Sequence, residues 1–248
     1  MLNRTRILIS VFIYMAVVSI AFGTTRSFNT IAIKAERFYA QKEWASASAM
    51  YELMLDERPR DYSLYAKAIV SAAMVPDTIE EMNLVDKAFA NLCPVDTLFN
   101  RVEKASFAIG QSTLYEQLLL KVKTAYPWTR RLVDARLLDY YSFRNAASDM
   151  LVYSDIMLAG APDSSKFLMI KARALLLSGR NRDAEIILNR LIELNPDNVQ
   201  ALIMLGNYYL IEHEKNGNDA LLTRAKDLLR RANTLEPTPY LEATLQSL

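Results

Sequence analysis

The sequence predicts an all-α chain built from about six helix hairpins, and three observations carry that prediction. Six of the eight prolines (Pro59, Pro94, Pro127, Pro162, Pro196 and Pro237) recur at intervals of 35, 33, 35, 34 and 41 residues. Apolar residues between them repeat at helical rather than strand spacing. Gly110, Gly160 and Gly179 stand where such helices would stop. Proline lacks the N–H that continues a helix and disfavours helix in the residue before it, so a regular proline beat marks regular helix ends.

The chain begins with a small basic region holding Arg4 and Arg6, followed by an apolar run from Ile7 to Phe22 and then Gly23-Thr24-Thr25. That order is expected of a secretory signal peptide over residues 1–23, cleaved near Thr24. The run falls short of the roughly 20 residues that span a bilayer comfortably. An uncleaved anchor, with membrane association through residues 7–22, is the alternative. Cys93 is the only cysteine, so no intrachain disulfide can form and no thiol stands near the cleavage region for lipid attachment. Export without disulfides points to a bacterial periplasm or cell envelope. Cys93 itself is expected to be a small buried apolar residue.

In the first hairpin, 31–39 reads as a helix, Gln41-Lys42-Glu43 as the turn and 44–56 as the second helix. The second hairpin has a capping-box-like start at Asp77-Thr78-Ile79-Glu80, with Ile79, Met82, Val85 and Phe89 expected on one face. In the third, Gly110 separates two helices, the later one carrying Leu114, Leu118 and Val122. Gly160 closes the fourth. The fifth runs 166–178 and 183–194, with the turn at Gly179. The sixth contains an insertion of seven residues around His213–Asn218, which accounts for the final interval of 41. In the tail, Leu241, Leu245 and Leu248 lie at helical spacing and are expected to form a short helix over 238–248 that caps the last hairpin.

With each closing proline set as position 32, the first hairpin has Ala35, Phe38, Ala47 and Tyr51 at positions 8, 11, 20 and 24, and Trp44 at 17. The fifth has Ala172, Leu175, Ala184 and Leu188. The sixth has Gly206 and Tyr209, then Ala225 and Leu229 after the insertion. This pattern of small residues where helices touch and large ones beside them resembles the tetratricopeptide repeat. The resemblance covers about residues 28–237 and implies a right-handed α-solenoid. Its middle hairpins depart from the pattern, with Val70 and Met82, Glu103 and Tyr115, and Leu138 and Met150 in the small positions. Their register is therefore open over residues 61–161.

The composition excludes several functions. Basic and acidic residues number 29 and 28, and the basic pairs are short and interrupted, so nucleic acid is not an expected partner. His213 is the single histidine, which excludes histidine triads and multi-histidine metal centres, and it is expected to face solvent in the insertion. The segment from Gly160 to Phe167 lacks the second glycine and the hydroxyl of a phosphate-binding loop. Glu80–Glu81 is better read as a solvated pair than as an acid–base couple. No cofactor is expected.

The resemblance instead implies binding of a protein or peptide in a groove lined by the first helix of each hairpin. Its groove positions fall on Glu36 and Tyr39 in the first hairpin, Lys166, Met169 and Arg173 in the fifth, and Gln200, Ile203 and Asn207 in the sixth. Ile203 replaces the lysine with which chaperone-tail binders of the family hold a terminal carboxylate, so that role is not implied. Arg173 either reads a partner or pairs with a nearby acid. The expected function is a non-catalytic interaction module or assembly scaffold in the envelope. The alternatives are a membrane-tethered accessory subunit, or an enzyme whose site matches no known motif.

Overall fold

The computed structural model describes residues 27–76 and 79–248. The apolar run at 7–22, the Gly23 boundary and Asp77–Thr78 of the expected capping box lie outside the described residues. Among those described, all regular structure is helical. The first helix, α1, covers 27–40. It is followed by α2 (Trp44–Glu57), α3 (Tyr62–Ala73), α4 (Glu80–Ala90), α5 (Val95–Ala108) and α6 (Ser112–Ala125). A 3-10 turn at Pro127–Thr129 leads to α7 (Arg130–Arg144), α8 (Ala147–Gly160), α9 (Ser165–Leu177) and α10 (Asn181–Leu194). The chain continues through α11 (Val199–Asn216), α12 (Asp219–Leu235) and α13 (Pro239–Ser247).

All six repeating prolines fall between hairpins, and the register is uniform. Trp44, Ser112, Ala147 and Asn181 begin their second helices fifteen residues before the closing proline, and those helices end two residues before it. The third and fourth hairpins therefore share the register of the first and fifth. They differ in the size of their buried residues: Tyr115, Leu138 and Met150 are buried where the others place alanine. Only the second hairpin is trimmed, with α4 starting at Glu80 and ending at Ala90.

The face of α4 also differs from the expected one. Glu81, Leu84, Val85 and Ala88 are buried, whereas Ile79 is 75% exposed and caps the helix without a side-chain bond. The buried acid explains the error. Glu81 holds the ammonium of Lys121 on α6, so the inward stripe contains a carboxylate that an apolar pattern search passes over.

The described residues form two compact units that divide between Val122 and Lys123. In the first, α3 packs on α2, α4 and α5 around Tyr51, Leu55, Tyr65, Ile69, Leu84 and Phe99. In the second, each helix from α7 to α13 packs on the next. Its cores are built on Leu168, Ala172, Leu188 and Leu205, and on Leu202, Leu229, Ala232 and Leu241. Each unit is thus a stack of antiparallel hairpins, the arrangement of an α-solenoid.

Small residues do stand where helices cross. Ala35, Ala47, Ala172, Ala184 and Ala225 are fully buried. A Cβ added at Gly206 would lie 2.9 Å from two side-chain carbons of Leu229. The insertion lengthens α11 and α12, which turn at Gly217 (φ 68°). His213 is therefore in the last turn of α11, partly buried, rather than in the turn itself. The tail forms the expected helix, with Leu241 buried and Leu245 packed beside it. Leu248 stays 37% exposed, and its carbonyl accepts a bond from Lys226 instead.

Candidate functional site

The groove residues lie on first helices of hairpins: Glu36 and Tyr39 on α1 in the first unit, the other six on α9 and α11 in the second. Most are already engaged with the neighbouring hairpin of their own unit. The Glu36 carboxylate accepts bonds from Tyr51 (2.8 Å) and from Lys67 on α3 (2.6 Å). Burial acts to raise its pKa, but Lys67 and Tyr51 outweigh this and leave it below the ordinary value. Tyr39 stands edge-on to Trp44 and Tyr51, with the Lys67 ammonium 5.2 Å from its ring centre. Burial, then Glu36, pushes the Tyr51 phenol far up, so Tyr51 acts only as a neutral donor.

In the second unit, Lys166 pairs with Asp139 of α7 at 2.8 Å. Arg173 reaches the end of α7, where it donates to the Ser142 carbonyl and to Asn145 Oδ1 (2.9 Å). Asn145 ends that helix in a left-handed conformation, which leaves carbonyls in need of donors. Arg173 therefore closes a helix end and does not pair with an acid. Asn207 accepts a bond from Tyr240 of α13 (3.1 Å). Met169 and Ile203 are half-buried against the cores, and Gln200 is exposed.

These bonds repeat along the chain. Glu36–Lys67, Asp56–Lys87, Asp139–Lys166, Asp163–Arg190 and Asn207–Tyr240 each tie a hairpin to the segment that precedes or follows it within a unit, at sequence separations of 27 to 33. Exposed pairs of this kind contribute little each, roughly 0–1 kcal/mol. Glu36–Lys67 and Asp139–Lys166 join first helices, whereas Asp56–Lys87 joins second helices and Asp163–Arg190 ties the turn before α9 to α10. A donor or acceptor one repeat further along the chain is the sequence signal for them, visible once the register is known.

The sequence features weighed for chemistry are taken up by structural partners. Glu81 is buried against Lys121, whereas Glu80 is half-buried and accepts a bond from Asn83, so the two carboxylates have different partners. Lys166, the lysine of the phosphate-loop-like segment, is held by Asp139. No group of three or more His, Cys, Asp or Glu side chains is placed to hold a metal ion among the described residues. Cys93 is buried as expected, and burial raises its thiol pKa against the lowering effect of Arg101.

No family model matches the chain, and no curated protein does. Among solved structures, the chain is similar to the C-terminal part of a TPR repeat-containing protein from Cytophaga hutchinsonii. That match has 12% identity and a TM-score of 0.49, and covers 81% of this chain and 77% of that one. A tetratricopeptide repeat protein from Parabacteroides merdae matches at 12% identity and TM-score 0.44, over 89% and 98% of the two chains. A protein from Bacteroides ovatus matches at 18% identity and TM-score 0.44, over 62% and 95%. At such identities and scores the architecture rests on this chain's own hairpins, and nothing about ligands is transferred.

Proposed function

We propose that the chain is a non-catalytic protein-interaction module or assembly scaffold. It takes a protein or peptide partner along the first-helix faces of its hairpins. The observation that supports this most is the repetition itself: hairpins of one register, tied to their neighbours by side-chain bonds about one repeat apart. Within each unit such stacking makes a continuous surface from short hairpins, which suits recognition of extended or helical segments. Gln200, Met169 and Ile203 remain as contact groups on that surface, because the bonded residues Glu36, Lys166, Arg173 and Asn207 are occupied in aligning it.

The signal-like start supports export to a bacterial periplasm or envelope. Among the described residues no helix is long and apolar enough to cross a membrane, and the 7–22 run lies outside them. Crosslinking and affinity capture in the native host, with membrane and soluble fractions kept apart, test the function. A defined protein partner in stoichiometric yield is the expected result. Turnover of a substrate by the isolated chain, with no partner captured, would replace this reading with an enzymatic one.

A further inference from the structure

We infer that a second recognition site lies in the second unit, in the cleft between the start of α7 and the end of α8. It takes an acidic peptide segment carrying one large apolar side chain. The inference rests on reading the chain as an interaction module, but the cleft is apart from the first-helix positions discussed above. Its volume is about 400 Å³, and its walls include Trp128, Arg130, Arg131, Ile156, Met157 and Gly160. That volume falls within the range of small-ligand and side-chain pockets, roughly 300–1,000 Å³.

The apolar wall is built for presentation. Trp128 is 66% exposed and Ile156 is 42% exposed, although neighbouring positions on α7 and α8 are fully buried. Trp128 rides on a turn that is pinned rather than loose. The Thr129 backbone N–H and hydroxyl both donate to the Tyr126 carbonyl, at 2.9 and 2.7 Å, and Thr129 is buried. The Tyr126 ring stands edge-on to the indole at 6.3 Å. An exposed tryptophan held in one place presents a large contact area at little ordering cost. At Gly160 no heavy atom lies within 4 Å of where a Cβ would stand, so the cleft stays open on that side.

The charge on the cleft selects the partner. Arg130 and Arg131 are exposed, and neither has an acid partner among the described residues. The single acid in the cleft wall, Asp134, is buried and bound to Lys123 at 2.5 Å. The nearby Asp155 and Asp163 are committed to Lys171 and Arg190, each at 2.6 Å. Two guanidinium groups beside an apolar pocket match a carboxylate next to a Leu, Phe or similar side chain, since guanidinium pairs with carboxylate by parallel N–H···O bonds. A membrane surface fits less well, because anionic lipid is drawn to clusters of about four to eight basic residues on an open face.

Fluorescence anisotropy on the isolated protein tests this. The probe is a labelled short peptide of sequence Glu-Glu-Ser-Phe-Asp-Glu, compared with its counterpart having lysine in place of each acid. The acidic peptide is expected to bind, more weakly as salt rises, and the basic one not to bind. Affinity should fall at least about tenfold in Trp128→Ala and in the double variant Arg130→Glu/Arg131→Glu. Arg230→Glu, a distant exposed change, should leave it intact. Circular dichroism confirms folding, and the arginine pair keeps the test open if Trp128→Ala alters the turn. The site is overturned if the wild type does not bind the acidic peptide, binds both peptides alike, or loses nothing in the arginine variant. It is also overturned if only phosphatidylserine-containing phosphatidylcholine vesicles bind and the arginine variant abolishes that binding, which would make the cleft a lipid site. Undiminished capture of the native partner by an arginine variant that no longer binds the peptide would leave both readings standing. Loss of peptide binding by the wild type with capture retained would remove the cleft alone.

Discussion

At the residue scale, counting repeat positions puts the candidate groove side chains on first helices but does not reveal what each one bonds. Arg173 is the clearest case. As a free groove cation, its reversal would spare stability; as the donor that closes α7, it should not. Arg173→Glu is expected to lower stability by about 1–3 kcal/mol, because a carboxylate would face the Ser142 carbonyl. Denaturant melts measure this, and an unchanged midpoint would return Arg173 to the free surface. Glu36 gives a pH test. Its folded pKa lies below the ordinary 4.5, so its stabilising effect is full above that value and is lost as pH falls through the lower folded value. Glu36→Gln should therefore be less stable at neutral pH and lose less stability than the wild type on acidification. Leu92 offers the opposite sign. It sits at φ 63° with 72% of its surface exposed, in a region where a side chain with a Cβ is strained. Leu92→Asn should raise stability by roughly 0.5–1 kcal/mol, since asparagine tolerates this conformation better.

At the element scale, the proline beat and the glycine turns located the hairpins to within a few residues, because both act through the backbone and not through neighbours. The register of the middle hairpins was not legible. Tyr115, Leu138 and Met150 occupy positions that a size pattern reserves for small residues, so the pattern failed even though the spacing held. The face of α4 was misplaced for a related reason, since the Glu81–Lys121 pair puts a carboxylate inside. The small residues that do follow the pattern should be intolerant of growth. Ala184 is fully buried where α10 packs on its neighbours, so Ala184→Leu should overpack the contact and cost about 1–3 kcal/mol in a denaturant melt. A midpoint equal to that of the wild type would mean that α10 does not cross its partner there.

At the scale of the whole molecule, fold class was readable from the sequence because periodicity and punctuation agree along its length. The binding surface was only partly readable. First-helix positions follow from register, but the inter-hairpin bonds that occupy most of them depend on contacts about one repeat apart. The cleft beside Trp128 depends on a turn and two helix ends meeting, which no single stretch of sequence announces. Export adds its own test: intact-mass analysis of natively expressed protein should show a chain beginning near Thr24, and a full-length chain in the membrane pellet would favour the anchored alternative. The claim that a partner lies along the first helices is tested most directly by site-specific photo-crosslinking in the host. A photoreactive residue at exposed Gln200 on α11 should capture one defined protein, whereas one at Ile186 on α10, itself 66% exposed, should capture none. Equal capture at the two positions, or none at Gln200, would contradict the account.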